Sequence, residues 1–138
     1  MIQLRDIRDY IALLGIAEDE HCYVGKMADK RDKSIGVYPL KQRQPCKIPL
    51  GGLENASYGI KAVSILVHWN RSPTESEEAA VSLQEKLVVC REQQINGHVI
   101  KFIAVGYDEP IPIDTDENGV YEYVIECLIY YEKKEGRR

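Results

Sequence analysis

The sequence predicts an α+β fold: a single domain over residues 1–138, built on a mixed, mostly antiparallel sheet of about five strands with two helices packed on one face. Three observations carry that expectation. The hydrophobic pattern switches from strand to helix period and back between Tyr58 and Gly106, the chain runs out on a long alternating segment behind an Asn-Gly turn, and its start repeats at helical spacing.

At the start, Leu4, Ile7, Ile11 and Leu14 recur between polar Gln3, Arg5, Asp6, Arg8 and Asp9, and Gly15 stands where a helix would stop. This is an amphipathic first helix whose apolar stripe belongs to a core. Residues 21–27 and 34–40 are short strand candidates joined by the charged turn ADKRDK, which predicts a hairpin. Residues 41–57 carry Pro45, Pro49, Gly51 and Gly52, show no sustained period, and exceed the usual loop length. With Lys41, Gln42, Arg43 and Gln44 at its head, this long loop reads as an arm that contacts a partner.

Residues 58–69, YGIKAVSILVHW, place Val63, Ile65, Val67 and Trp69 on one face and Ile60, Ala62 and Leu66 on the other, so both faces are apolar and the strand belongs inside the sheet. At Ser72-Pro73-Thr74-Glu75 the period changes: Ser72 caps a helix, Pro73 suits its first position, and Glu75 stands where a capping box needs it. The helix is expected to run about five turns, to Gln94, burying Ala79, Ala80, Leu83, Leu87 and Cys90. Asn96-Gly97 would then end it and open a strand over residues 98–106. After the loop YDEPIPIDTDENG, the final strand alternates: Tyr121, Tyr123, Ile125, Cys127, Ile129 and Tyr131 form one face, and Glu122, Glu126 and Glu132 punctuate the other.

A chain of 138 residues with 44% hydrophobic and 29% charged content buries one core without staples. The cysteines, Cys22, Cys46, Cys90 and Cys127, are far apart and follow no CxxC spacing, and Arg5, Asp6, Arg8 and Asp9 break any apolar leader, so reduced thiols in a cytoplasmic setting are expected. No apolar run approaches the roughly 18–20 residues that span a bilayer, which predicts a soluble chain without a membrane anchor. The net charge of −4 argues against a general polyanion binder. Its distribution is uneven. Lys26, Lys30, Arg31, Lys33, Lys41, Arg43 and Lys47 face only Asp29 and Asp32 between positions 26 and 47, whereas every charged residue from Phe102 to Glu132 is acidic. Two solvated loops of differing sign would give this pattern; so would complementary surfaces that meet head to tail between copies and close a ring.

Searches for chemistry return little. Asp114, Asp116, Asn118 and Gly119 imitate the first half of a calcium loop, but its twelfth position is Ile125 instead of Glu, so an acidic hairpin turn is expected. His21, His68 and His98 are dispersed, and His68 beside Trp69 reads as a satisfied edge or core residue. There is no GxSxG, phosphate loop, GxGxxG or HExxH, Gly51-Gly52 lacks the strand and helix of a phosphate cradle, and nothing marks a thiol as activated. No catalytic, cofactor-binding or metal residue is assigned.

The segments SYGIKAVSILVHWNRSPTESEEAA, DENGVYEYVIECLIYYE and Ser34-Ile35-Gly36-Val37-Tyr38-Pro39 together resemble the tail terminator, or head-to-tail joining, proteins of long-tailed bacteriophages, often labelled minor capsid proteins. The resemblance spans most of the chain and rests on strand and turn patterns. It implies a non-enzymatic virion protein that forms a ring, usually of six, on the finished tail tube, stops tail growth and meets the head connector. The implied partners are further copies of itself, the tail tube protein and a head completion or connector protein, with no cofactor and no membrane. At most a weak, salt-dependent DNA contact is expected where the genome passes. That family offers no position-by-position interface motif, so charge placement alone selects the candidate interface residues: Lys41, Arg43 and Lys47 in the loop, and Asp114, Asp116 and Glu117 in the acidic turn. Two other readings are a nucleic-acid-binding domain using the 26–47 segment, which has only Tyr38 for base stacking, and a small enzyme with a site assembled from His68, Cys90 and Asp108.

Overall fold

Helix α1 (Leu4–Leu14) leads into strand β1 (Cys22–Val24), followed by β2 (Ser34–Pro39), β3 (Tyr58–His68), helix α2 (Pro73–Val88), β4 (Arg91–Ile95), β5 (His98–Val105), β6 (Ile111–Ile113) and β7 (Glu122–Glu132). The structure, a computed structural model, describes residues 1–26, 31–41 and 58–133. The strands form one sheet in the order β1-β2-β3-β7-β5-β4, with β6 also on β7. Strand β7 is its spine. Along one side it pairs with the whole of β3, from Tyr58 opposite Glu132 to His68 opposite Glu122. Along the other side β5 takes Cys127–Tyr131 and β6 takes Glu122–Val124.

The α+β class and the single core stand, and the sheet is larger than five strands: seven are present among the described residues. The two additional strands come from segments read otherwise. Helix α2 stops at Val88, not Gln94, because Asn96 and Gly97, at φ 51° and 82°, form the two-residue turn of a hairpin that pairs Ile95 with His98 and Arg91 with Phe102. The good helix formers Glu92, Gln93 and Gln94 are thus drawn into β4, where they pair the otherwise open edge of β5. The other addition is β6, a three-residue edge strand in the Pro-rich loop, where Pro112 sits at a sheet edge.

The expected hairpin of the first two strands is a parallel pair, with Cys22 beside Ile35 and Val24 beside Val37. Two contacts account for this. Arg8 on α1 donates from Nε to the Cys22 carbonyl at 2.9 Å, and from its other end to the Asp19 carbonyl, which ties the start of β1 to the helix. By Lys33, whose N–H donates to the Trp69 carbonyl at 2.6 Å, the chain has already returned to the His68 end of β3, so β2 must start where β1 started.

Period-2 alternation carries the core. Val63, Ile65 and Val67 of β3 and Ile125, Cys127 and Ile129 of β7 are buried on one face, with Ile35 and Val37 of β2 beside them. A bulge in β5 between Ile100 and Phe102 shifts its alternation by one residue, which turns both Ile100 and Ile103 inward and leaves Phe102 on the outer face. Helix α2 lays Ala80, Leu83 and Leu87 over β3, β5 and β7; α1 lays Ile7 and Ile11 against β1 and β2 on one side and β4 on the other. Because α1 touches both ends of the strand order, the sheet curls around the two helices, and all these residues join one core.

The Ser72 hydroxyl accepts from the Glu75 N–H at 3.2 Å as its cap position predicts, while the Glu75 carboxylate takes Asn70 Nδ2 at 2.8 Å and so leaves the box half built. Asp6 departs from its place on the polar face of α1. It is 4% exposed, because it accepts from the Gln3 N–H at 2.8 Å and from Asn96 Nδ2 in the β4–β5 turn at 2.9 Å.

Gly59 lies opposite Tyr131, and a Cβ there would stand 2.5 Å from the ring's Cζ. Tyr131 is buried across the glycine, so its ring must shift to admit a methyl group. Gly59→Ala is therefore expected to destabilise the fold by about 1–3 kcal/mol, read as a lower urea midpoint at unchanged slope.

Candidate functional site

The acidic turn between β6 and β7 is a built structure. Asp116 Oδ1 accepts from the N–H groups of Asn118 at 2.8 Å and Val120 at 3.0 Å, its own N–H donates to the Val120 carbonyl, and Gly119 at φ 80° takes the left-handed position. Asparagine-glycine chemistry thus closes a hairpin, and the residue at the twelfth calcium-loop position, Ile125, points into the core. The turn is moored to the junction of β3 and α2. Arg71 Nε donates to the Asn118 carbonyl at 3.0 Å, Trp69 N–H to the Tyr121 carbonyl at 3.1 Å, and Tyr121 N–H to the Asn70 carbonyl at 2.9 Å.

His68 closes the group. It ends β3 with 1% exposure, and its Nδ1 lies 2.7 Å from Glu122 Oε2 and 3.8 Å from Asp116 Oδ2. A carboxylate so close makes Nδ1 the donor, and the bond pins the last residue of β3 to the first of β7. His68 is the satisfied residue its sequence context suggested. Its partners escaped the sequence reading because they lie 48 and 54 residues away, and only the β3–β7 register brings them together.

The sequence-selected interface residues fall at two places. Asp114 and Glu117 are exposed on the acidic turn; Asp116 is half-buried, with its carboxylate directed at the turn and at His68. Lys41 is exposed just past β2, whose following residue, Leu40, donates to the Ala62 carbonyl at 3.2 Å, so Lys41 stands near the Tyr58 end of β3. The acidic turn sits at the His68 end, about seven residues or roughly 23 Å away along the strand. Arg43 and Lys47 lie outside the described residues.

A third feature had no sequence expectation. On the outer face at the Tyr58 end, Tyr130 lies between Tyr58, at a centroid distance of 5.8 Å, and Phe102, stacked at 4.3 Å and 15°. Tyr58 and Phe102 are 39% and 40% exposed, and Lys101 flanks them. The cross-strand pair Phe102 and Tyr130 would have been predictable had the β5 bulge been visible, since only the bulge puts Phe102 on that face.

The enzyme reading finds no support in the geometry. His68 is taken up by Glu122, and Asp108 offers its backbone carbonyl to Gln84 Nε2 at 2.8 Å. Burial raises the Cys90 thiol in spite of a hydrogen bond with Tyr10, raises Cys22, and pushes Cys127 up to about 12, which leaves these thiols protonated and weak as nucleophiles. Among the described residues no helix is long and apolar enough to cross a membrane.

No curated protein matches the chain. A family model described as bacteriophage tail terminator protein matches it over residues 10–133, from within α1 to the end of β7. That match takes in the β3–α2 segment and the terminal strand singled out by their pattern, together with the acidic turn and the aromatic end. The chain belongs to the bacteriophage tail terminator family, a structural component of the phage tail.

Proposed function

We propose that this chain forms a ring on the end of the tail tube, stops its growth and joins the tail to the head. The family match supports a role in tail assembly, and one observation supports the ring: the two ends of the β3–β7 pair differ in character. One end exposes Asp114 and Glu117, with Lys33 and Arg71 nearby; the other exposes Lys41, Glu132 and the aromatic patch of Tyr58, Phe102 and Tyr130 flanked by Lys101. An acidic turn at one end and an aromatic surface flanked by lysine at the other suit a heterologous contact, repeated from copy to copy until it closes. The proposed interface comprises Lys41, Arg43 and Lys47 on one copy and Asp114 and Glu117 on the next, and a ring of six is the proposed size. Asp116 belongs to the proposed acidic surface as its scaffold, because its carboxylate shapes the turn. The tail tube protein and a head connector protein are the proposed neighbours above and below, in a virion assembled in the bacterial cytoplasm.

The test is light scattering of the purified chain across concentration and salt, with negative-stain imaging of large species and of mixtures with isolated tail tubes. Arg43→Glu is expected to weaken assembly at least tenfold, and Glu117→Lys in the same chain to restore part of it. Glu117 is chosen over Asp116 because reversing it leaves the turn intact. Undiminished assembly in Arg43→Glu would remove this contact from the proposal. A monomer that never caps a tube would remove the ring.

A further inference from the structure

We propose that His68, Asp116 and Glu122 form a site for a divalent transition metal, of which Zn²⁺ is the best fit. One imidazole nitrogen and two carboxylate oxygens, one from each side chain, lie within 4.8 Å of one another. In a tetrahedral site with bonds near 2.0 Å, ligand atoms are separated by about 3.3 Å. The observed separations from His68 Nδ1, 2.7 Å to Glu122 Oε2 and 3.8 Å to Asp116 Oδ2, fall on either side of that spacing, so a cation enters with movements of the side-chain ends alone.

The supporting structure holds the donors in place. Asp116 commits Oδ1 to two backbone N–H groups, which directs Oδ2 at the imidazole; Glu122 and His68 are cross-strand partners. Their side chains are 9%, 14% and 1% exposed, so a bound cation would keep few waters. On coordination the metal replaces the Nδ1 proton and the ring carries its proton on Nε2. One nitrogen with two carboxylates suits Zn²⁺, Co²⁺ or Mn²⁺ better than Ca²⁺, which takes six to eight oxygens. The ion would clip the acidic turn to the end of the sheet and fix the direction in which Asp114 and Glu117 project.

The experiment titrates Co²⁺ into the chelator-stripped full chain, follows visible ligand-field absorption, and then displaces Co²⁺ with Zn²⁺. One Co²⁺ per chain with tetrahedral-type bands is expected, together with a Zn²⁺-dependent shift of the His68 ring resonances in the wild-type chain. Glu122→Gln and His68→Gln should each weaken binding by more than the roughly 10–100-fold that loss of an outer-shell partner costs. His21→Asn, in the exposed cluster with Glu18 and Glu20, should leave it unchanged. Absence of binding, or binding that moves with His21 and leaves the His68 resonances still, overturns the site. The wild-type resonances decide the matter even if a variant fails to fold.

Discussion

Replacing Ile129 with Ala lowers the stability of this chain by about 2–5 kcal/mol, whereas the same change at the adjacent Leu128 costs under about 1 kcal/mol. Ile129 is wholly buried at the middle of the spine, opposite Lys61 of β3 and Ile103 of β5. Its removal leaves a cavity walled by neighbours that are themselves held in place on both sides, so the site collapses little and the cost falls in the upper part of the range. Leu128 points to the outer face and is only half-buried. A domain of this kind has roughly 5–15 kcal/mol in total, so the first substitution removes a large part of it. Thermal unfolding is expected to drop by about 10–20 °C for Ile129→Ala, at roughly 4 °C per kcal/mol, and by a few degrees at most for Leu128→Ala. Equal effects at the two positions would mean that the inward and outward faces of β7 are misassigned. The contrast reverses in assembly: if the outer face takes part in the proposed ring, Leu128→Ala weakens association while the isolated chain keeps its stability.

Asp6→Ala is the second large effect, expected at about 1–3 kcal/mol, because it removes one of the two acceptors of the Asn96 amide and leaves the N–H of Gln3, at the cap of α1, without its acceptor. The same network makes stability depend on pH. Burial works to raise the Asp6 carboxyl, but the hydrogen bonds from Asn96 and Gln3 and the nearby His98 and Arg5 outweigh it and hold it below the ordinary carboxylate value. Asp9 is lowered as well, first by Asn96 and then by Arg8. A carboxyl depressed in the folded state contributes its full stability above its unfolded value, near pH 4, and loses it as pH falls through the folded value. Acid unfolding of the wild type should therefore steepen below about pH 4, and Asp6→Asn should flatten that part of the curve while lowering stability at pH 7. An unchanged slope in Asp6→Asn would show that this carboxylate is not among those that set the acid limit. The expected mechanical consequence is local. Asn96 also donates to Asp9 Oδ2 at 2.8 Å, so the β4–β5 turn is fastened to α1 through two carboxylates, and loss of one loosens the β4 edge before the spine.

Much of this architecture was legible in the residues because it rests on local physics. The stripe of Ile7 and Ile11, the Gly15 stop, the Ser72-Pro73 start and the alternation from Tyr123 to Tyr131 each depend on neighbours within a turn or a strand, and each is where the pattern placed it. The opposed charges of the two segments were equally plain, since net charge needs no coordinates. What tertiary structure decided is everything that depends on which strand lies beside which. Residues 91–95 carry helix formers and still become a strand, because the Asn96-Gly97 turn folds them back onto an edge that needs hydrogen bonds. Residues 22–24 and 34–39 run parallel because Arg8 and Trp69 hold the ends of the connection, a fact written in residues far from either strand. His68, Asp116 and Glu122 meet for the same reason: the register of β3 on β7 spans 54 positions of sequence, and no local period encodes it. The sequence by itself determined the first helix, the start of the second, five of the seven strands and the family; the strands β4 and β6, pairing partners, register and the bulge in β5 were settled only when burial of one shared core selected among the ways those faces could meet.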